Sequence, residues 1–278
     1  MTVLEVLQST TAYFTKREVE SPRLNAEHLL AHAIGLKRIE LYMEFERALQ
    51  ESELAPLRDL VRRRGQGEPL QHLLGTVEFS GKTFACDKRA LIPRPETEEL
   101  VELLAKMAWP SGARLLDVGT GSGVIALSLA AHFPDAEVHG VDVSDDALAL
   151  AMENAARVEL AERVKFYRSD LLSAVDGAFD LIVANLPYVP DGDRETISRE
   201  VRRDPVLAVF GGASGDEIIR RLIAAAPEHL APGGLLALEI GIGQAEALAA
   251  FLADRNYREI SQRQDFSGVT RFLLARYG

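Results

Sequence analysis

The chain has 278 residues, 47% of them apolar, one cysteine and a formal net charge of −11. That apolar content supports a full core and excludes a disordered chain, while the length asks for one large domain plus a smaller one. The single Cys86 excludes an internal disulfide or a cysteine-built zinc cluster, and no stretch approaches the ~20 uninterrupted apolar residues of a spanning helix, so no membrane partner is expected. The first residues lack the basic and apolar regions of a secretion signal, which gives the expectation of a cytoplasmic protein.

Residues 1–75 read as helices only: 3–17; "SPRLNAEHLLAHAIGL", with Ser21 as N-cap, Pro22 in the first turn and Gly35 as stop; 37–49; and "ESELAPLRDLVRRRGQG". Leu24, Leu29, Leu30 and Ala33 share one helical face, which predicts a small bundle as an N-terminal domain. Within it, His28 and His32 lack a third ligand for a metal, and Arg62, Arg63 and Arg64 read as complements to a helix dipole. Residues 76–93 alternate apolar and polar around Ser80-Gly81, predicting a β-hairpin connector. Residues 94–278 form the remaining domain. After a helix from about Thr97 they alternate strand-like and helix-like segments: "RLLDVG", a helix from about Ser122, "EVHGVDV", a helix from Asp145, "VKFYRSD", "FDLIVAN", a helix near 216–230, "GGLLALEIG" and a helix near 243–254. Such alternation predicts an α/β fold with a mostly parallel sheet covered on both faces. The last segment, "REISQRQDFSGVTRFLLARYG", reads as two strands about a Ser267-Gly268 turn, an antiparallel hairpin at one sheet edge.

"LLDVGTGSGV" places Gly119, Gly121 and Gly123 after a strand and before a helix, with Thr120 and Ser122 between them. Glycines there allow a tight turn and close approach of a ligand to the backbone. The spacing is G-x-G-x-G; Val124 stands one place after Gly123, which argues against the dinucleotide fingerprint of a nicotinamide-dependent dehydrogenase, and Thr120 and Val124 rule out a nucleophile elbow about Ser122. Asp142 ends the second strand of this region, where an ionised carboxylate accepts both hydroxyls of a ribose. Ser144 is the better N-cap and leaves Asp142 free. Asp170, at the end of the third strand, is placed to face an adenine edge. The fourth strand ends in Asn185-Leu186-Pro187-Tyr188, residues poorly suited to continue a sheet.

Together these motifs resemble the class I S-adenosylmethionine-dependent methyltransferases, with the acidic and glycine-rich segment Asp117–Gly123, Asp142, Asp170 and an N-x-P-Y tetrapeptide. The resemblance implies a Rossmann-like, seven-stranded sheet, S-adenosylmethionine as cofactor and S-adenosylhomocysteine as product. The tetrapeptide implies methylation of a nitrogen conjugated to a π-system. Such a nitrogen attacks a sulfonium methyl slowly, and two carbonyl acceptors on its –NH₂, the Asn185 side chain and a neighbouring backbone C=O, would aim it and stabilise its developing charge. Pro187 would stiffen the loop and Tyr188 offer a flat face to the planar group.

From "GEPLQHLLGTVEFSGKTFACDKRALIPRPETEELVE" through "DVGTGSGVIALSLA", "FDLIVANLPYVP", "EVRRDPVLAVFGGASGDEIIRRLIAAAPEHLAPGGLLALEIGIGQ" and "DFSGVTRFLLAR", the chain resembles, over about residues 67–275, the release-factor glutamine N5-methyltransferases, the segment Pro93–Glu98 being especially specific. That implies, as substrate and partner, the glutamine of the Gly-Gly-Gln loop of peptide chain release factors. It implies Gly119, Thr120, Gly121, Ser122 and Gly123 along the methionine and ribose, Asp142 on the ribose hydroxyls, Leu171 with Asp170 at the adenine, and Asn185 to Tyr188 around the glutamine amide, with Asn185 also at the cofactor. The usual family tetrapeptide is N-P-P-Y; Leu186 keeps the backbone carbonyl of the second place and loses its rigidity. N-L-P-Y also occurs in adenine dimethylases of ribosomal RNA, so an N6-adenine methyltransferase acting on RNA or DNA is the alternative. Charge argues against it: residues 1–75 carry 10 Lys/Arg against 11 Asp/Glu, leaving −10 for the catalytic region, which repels a phosphate backbone. No direct nucleic-acid binding is therefore expected, and the helical domain is expected to grip the release factor. A non-enzymatic cofactor-binding protein is disfavoured by the intact tetrapeptide, and a monomer is expected.

Overall fold

The computed structural model describes residues 1–278 and divides into two compact units, residues 1–76 with 198–203, and residues 77–197 with 204–278.

The first unit holds α1 (Val3–Lys16), α2 (Pro22–Ile34), α3 (Glu51–Gly65) and α4 (Leu70–Leu74) around a core that includes Leu7, Phe14, Leu29, Leu30 and Leu41. A reciprocal Thr2–Glu5 capping box starts α1. Three expectations are corrected. Only a 3-10 turn, Arg38–Met43, forms within 37–49, because Val3, Leu4 and Leu49 exchange backbone hydrogen bonds with Arg47, Phe45 and Met1 and draw 45–49 alongside the chain start. Ser21 adopts a left-handed conformation (φ 45°) and makes no side-chain cap; Asn25 Nδ2 donates instead to the Glu20 and Ser21 carbonyls. Leu24 is 40% exposed and lies off the buried face. Arg64 does more than complement a dipole: it is buried, donating to Asn25 Oδ1, to the Glu68 carbonyl and to Glu200 in the 198–203 segment.

The second unit opens with the hairpin β1 (Thr76–Phe79) and β2 (Lys82–Ala85), whose turn residues Ser80 and Gly81 both have positive φ, as a two-residue hairpin loop requires. Then follow α5 (Pro95–Ala105), β3 (Arg114–Val118), α6 (Val124–His132), β4 (Glu137–Asp142), α7 (Asp145–Arg157), β5 (Val164–Arg168), β6 (Phe179–Asn185), β7 (Val189–Pro190), α8 (Val206–Val209), β8 (Phe210–Gly212), α9 (Glu217–Ala225), β9 (Leu230–Glu239), α10 (Ala245–Ala253), β10 (Tyr257–Gln264) and β11 (Thr270–Tyr277). Seven strands form one sheet in the order β10-β11-β9-β6-β3-β4-β5. The strands from β9 to β5 pair in parallel, and β11 runs antiparallel between β9 and β10. This is the α/β arrangement with an antiparallel edge that the segment alternation predicts. The helix expected over 216–230 ends at Ala225; a 3-10 turn containing Pro227 follows, and β9 begins at Leu230. The chain runs from β3 outward through β4 and β5, then returns to β6 on the other side of β3. Ligand crevices open at the carboxyl ends of strands where the order reverses in this way.

Candidate active site

At that reversal lies a cavity of about 330 Å3, lined among others by Gly119, Gly121, Ser122, Asp142, Leu171 and Asn185. Its floor is the glycine turn. Gly119 and Thr120 donate their N–H groups to the Val141 carbonyl (2.8 and 2.9 Å), and Gly121 N–H to Asp142 Oδ2 (2.9 Å), so the turn is tied to the end of β4. Gly119 has φ +74°, a conformation that favours glycine, and a Cβ there would lie 2.8 Å from Leu186 Cδ2, which would have to turn aside. Gly121 and Gly123 are also left-handed, which delays α6 from Ser122 to Val124. Gly123 is not on the cavity wall: a Cβ on it would press on Ala151, Leu127 and Phe166, so its smallness serves helix–sheet packing.

Behind the turn Asp117 is fully buried, its Oδ2 accepting from Thr120 Oγ1 (2.6 Å) and Ala126 N–H (3.2 Å) while Oδ1 has no partner. Burial pushes its carboxyl up to about 7. Asp142 lines the cavity but is not free. Oδ1 accepts from Ser144 N–H and Oδ2 from Gly121 N–H, both at 2.9 Å, while Ser144 caps α7 through Ala147 N–H. Each carboxylate oxygen keeps a second lone pair for a hydroxyl donor. Burial raises its pKa against these bonds. Asp170 and Leu171 also line the cavity; the Asp170 carboxylate is more than half exposed and accepts from Arg221 Nη2 at 2.9 Å, and Leu171 sits at φ +50°, a strained conformation for leucine.

The opposite wall is Asn185, Leu186 and Pro187. Asn185 is the last residue of β6, paired in register with Glu239 on β9. Its Nδ2 donates to Thr97 Oγ1 (2.9 Å), and Thr97 Oγ1 donates to Glu239 Oε2 (2.7 Å). Thr97 and Glu239 are 3% and 1% exposed, and burial pushes the Glu239 carboxyl up to about 7. Leu186 is buried against Gly119 and the core. Tyr188 lies off the cavity wall. Its ring packs beside Gly241 and the core, its carbonyl accepts from Gln244 Nε2 (3.0 Å), and burial with the nearby Glu239 charge pushes its phenol up to about 12.

Sequence reasoning missed the support behind these residues. Buried Asn154 on α7 accepts Ala85 N–H (2.6 Å) and donates to the Ala85 and Ser122 carbonyls, clamping the hairpin and the glycine turn together. Asp204, buried, accepts from Arg94 Nη2 (2.7 Å). Gly211 brings backbone against the tetrapeptide: a Cβ there would stand 2.4 Å from the Pro187 carbonyl oxygen and 2.2 Å from that of Gly215, which itself abuts the Tyr188 carbonyl. In the sequence the only trace of this support lay within segments that carry the family resemblance: "PRPETE" contains Arg94 and Thr97, and the stretch from Glu200 to Gln244 contains Asp204, Gly211 and Glu239.

The glycine turn, an acceptor carboxylate with spare lone pairs and the apolar side of the cavity fit a nucleoside carrying a short charged chain. A model of the PrmC N-terminal domain matches residues 5–75, and a model described as methyltransferase small domain matches residues 96–202. The release factor glutamine methyltransferase of Geobacter sulfurreducens is 43% identical, covering 100% of this chain and 97% of its own. That of Deinococcus radiodurans is 42% identical over 99% of both chains. Among solved structures, a ribosomal protein L11 methylase of Lactobacillus delbrueckii subsp. bulgaricus superposes with TM-score 0.52 at 26% identity, covering 68% of this chain and 82% of its own. A methyltransferase of Pyrococcus furiosus, at 20% identity, does so with TM-score 0.55 over 70% of this chain and 88% of its own, a likeness of fold. With full-length relatives at this identity, the chain belongs to the release factor glutamine methyltransferases.

Proposed function

We propose that this chain transfers a methyl group from S-adenosylmethionine to the side-chain amide nitrogen of the glutamine in the Gly-Gly-Gln loop of a peptide chain release factor. The cofactor supplies an electrophilic methyl on a sulfonium. Gly119 to Ser122 would receive its amino-acid part, Asp142 its ribose hydroxyls, and Leu171 with Asp170 the rim of its base. Asn185 Oδ1 and the Leu186 carbonyl would accept the two N–H groups of the glutamine amide. The nitrogen's electrons then point toward the glycine turn, and the charge that grows on it meets two fixed dipoles. No strong base is needed, because an N-methylated amide cation loses its proton to water. The helical unit would hold the release factor away from the reacting amide.

The observation that carries this reading is the state of Asn185. Its –NH₂ is engaged by Thr97, so its carbonyl oxygen is the group left for the cavity. Incubation with release factor and labelled cofactor, followed by peptide mass spectrometry, should add one methyl to that glutamine; label found in RNA instead would favour the adenine alternative. Asn185→Ala should lose about 10²–10³ in kcat, the usual cost of one preorganised contact to developing charge. Unchanged turnover in that variant defeats the assignment.

A further inference from the structure

We propose that Thr97 and Glu239 are positioning residues that fix which end of the Asn185 amide faces the substrate. The inference rests on the function proposed above and deepens it.

A carboxamide has two nearly isosteric ends, one accepting and one donating, and a half-turn about its terminal bond exchanges them. Substrate –NH₂ can be held only by the accepting end. Nothing intrinsic to β6 selects that end. Selection comes from a chain of hydrogen bonds with a single consistent direction. Above about pH 7 Glu239 is ionised and can only accept, so the one hydroxyl proton of Thr97 goes to Oε2 at 2.7 Å. The oxygen of Thr97 then has only lone pairs to offer, and what faces it at 2.9 Å has to be the Asn185 –NH₂. Turning the amide over would set its carbonyl oxygen against lone pairs in a site sealed from water, since Thr97 and Glu239 are 3% and 1% exposed.

The placement has no comparable explanation in folding. Glu239 ends β9 beside the hydrophobic core, makes no ion pair, and its side chain is hydrogen-bonded by Thr97 and Asn185. An apolar residue would serve the sheet end better, because an unpaired buried carboxylate is costly. The neighbouring charges come from α5 (Glu96) and β11 (Arg271), with the Tyr188 phenol beside them. Thr97 reaches the site because α5 starts at Pro95, which puts residue 97 in its first turn with its side chain buried.

The test compares Thr97→Val, which keeps shape and removes the hydroxyl, with Thr97→Ser, which keeps the hydroxyl. In assays near pH 8, where Glu239 is ionised, the relay predicts a 10- to 100-fold fall in kcat for Thr97→Val, little change in KM for S-adenosylmethionine, and return to within about threefold of wild type in Thr97→Ser. Wild-type kcat in Thr97→Val, or a loss that Thr97→Ser does not restore, overturns it. If Thr97→Val also loses cofactor affinity by calorimetry, Glu239→Gln takes its place. Its amide can also donate to Thr97, so the chain loses its fixed direction; kcat should again fall with cofactor KM preserved, and a wild-type kcat there overturns the relay. Asn185→Ala is assayed in parallel. Full turnover in that variant removes the underlying function reading, whereas low turnover there with wild-type turnover in Thr97→Val removes the relay alone.

Discussion

Asp117, Asp142 and Glu239 share one electrostatic condition. Each is a carboxylate whose pKa burial raises, Asp117 and Glu239 to about 7. Raised folded-state values mean that the native protein binds protons more tightly than the unfolded chain, so native stability falls as pH climbs from the unfolded carboxylate range to about 7 and then levels. Glu27, Glu68 and Glu137 are lowered instead, but their contribution is already complete above about pH 5 and does not vary in that window. The thermal midpoint of the protein without cofactor should therefore be higher near pH 6 than near pH 8. A sulfonium and an ammonium group entering this site would draw the same carboxyls back down. Calorimetric titration near pH 7 in buffers of different ionisation enthalpy should accordingly show proton release on S-adenosylmethionine binding. Proton uptake, or no dependence on buffer, would contradict the placing of a cation beside Asp142 on the cavity wall, with Asp117 and Glu239 behind that wall.

The element scale shows what local pattern can and cannot reveal. The glycine turn, the Ser80-Gly81 hairpin and the α/β alternation are written in neighbouring residues, each as a backbone requirement of its own, and so were legible. The helix expected at 37–49 was not formed, because what decides it is pairing with Met1 to Leu4, far away in sequence. Asn154 escaped notice for the same reason: on a helix it resembles any polar residue, and its partners Ala85 and Ser122 are 69 and 32 positions distant. Replacing it by Leu leaves the Ala85 N–H, the Ala85 carbonyl and the Ser122 carbonyl buried without that partner. A loss of about 2–4 kcal/mol in denaturant unfolding should follow, with weaker cofactor binding because the glycine turn loses an anchor. Unaltered stability would show the clamp to be dispensable. Of the candidate site, strand ends and glycines could be read directly, whereas Thr97 and Glu239 needed the fold to join a helix start to a distant strand.

For the whole molecule, the contiguous boundaries at 75 and 93 differ from the units found, because residues 198–203 belong with the helical unit. No run of composition marks that excursion; a single buried guanidinium does. Arg64 joins Asn25, Glu68 and Glu200, positions drawn from three stretches of chain. Arg64→Ala should cost about 2 kcal/mol, less than a fully buried pair since Glu200 is 33% exposed. It should also speed tryptic cleavage at Arg199, Arg202 and Arg203 while the sheet unit keeps its cofactor affinity; unchanged cleavage would mean that other contacts hold the segment.

The close approach at Gly211 reaches beyond its own loop. The Pro187 and Tyr188 carbonyls rest against bare backbone at 211 and 215, so the course of the chain just after Asn185 and Leu186 depends on two positions that line no cavity and bear no reactive group. A single added methyl at either would push that backbone apart and shift the loop that follows β6. Tolerance to change at these glycines is thus set by backbone packed on backbone, which no turn of a side chain can relieve.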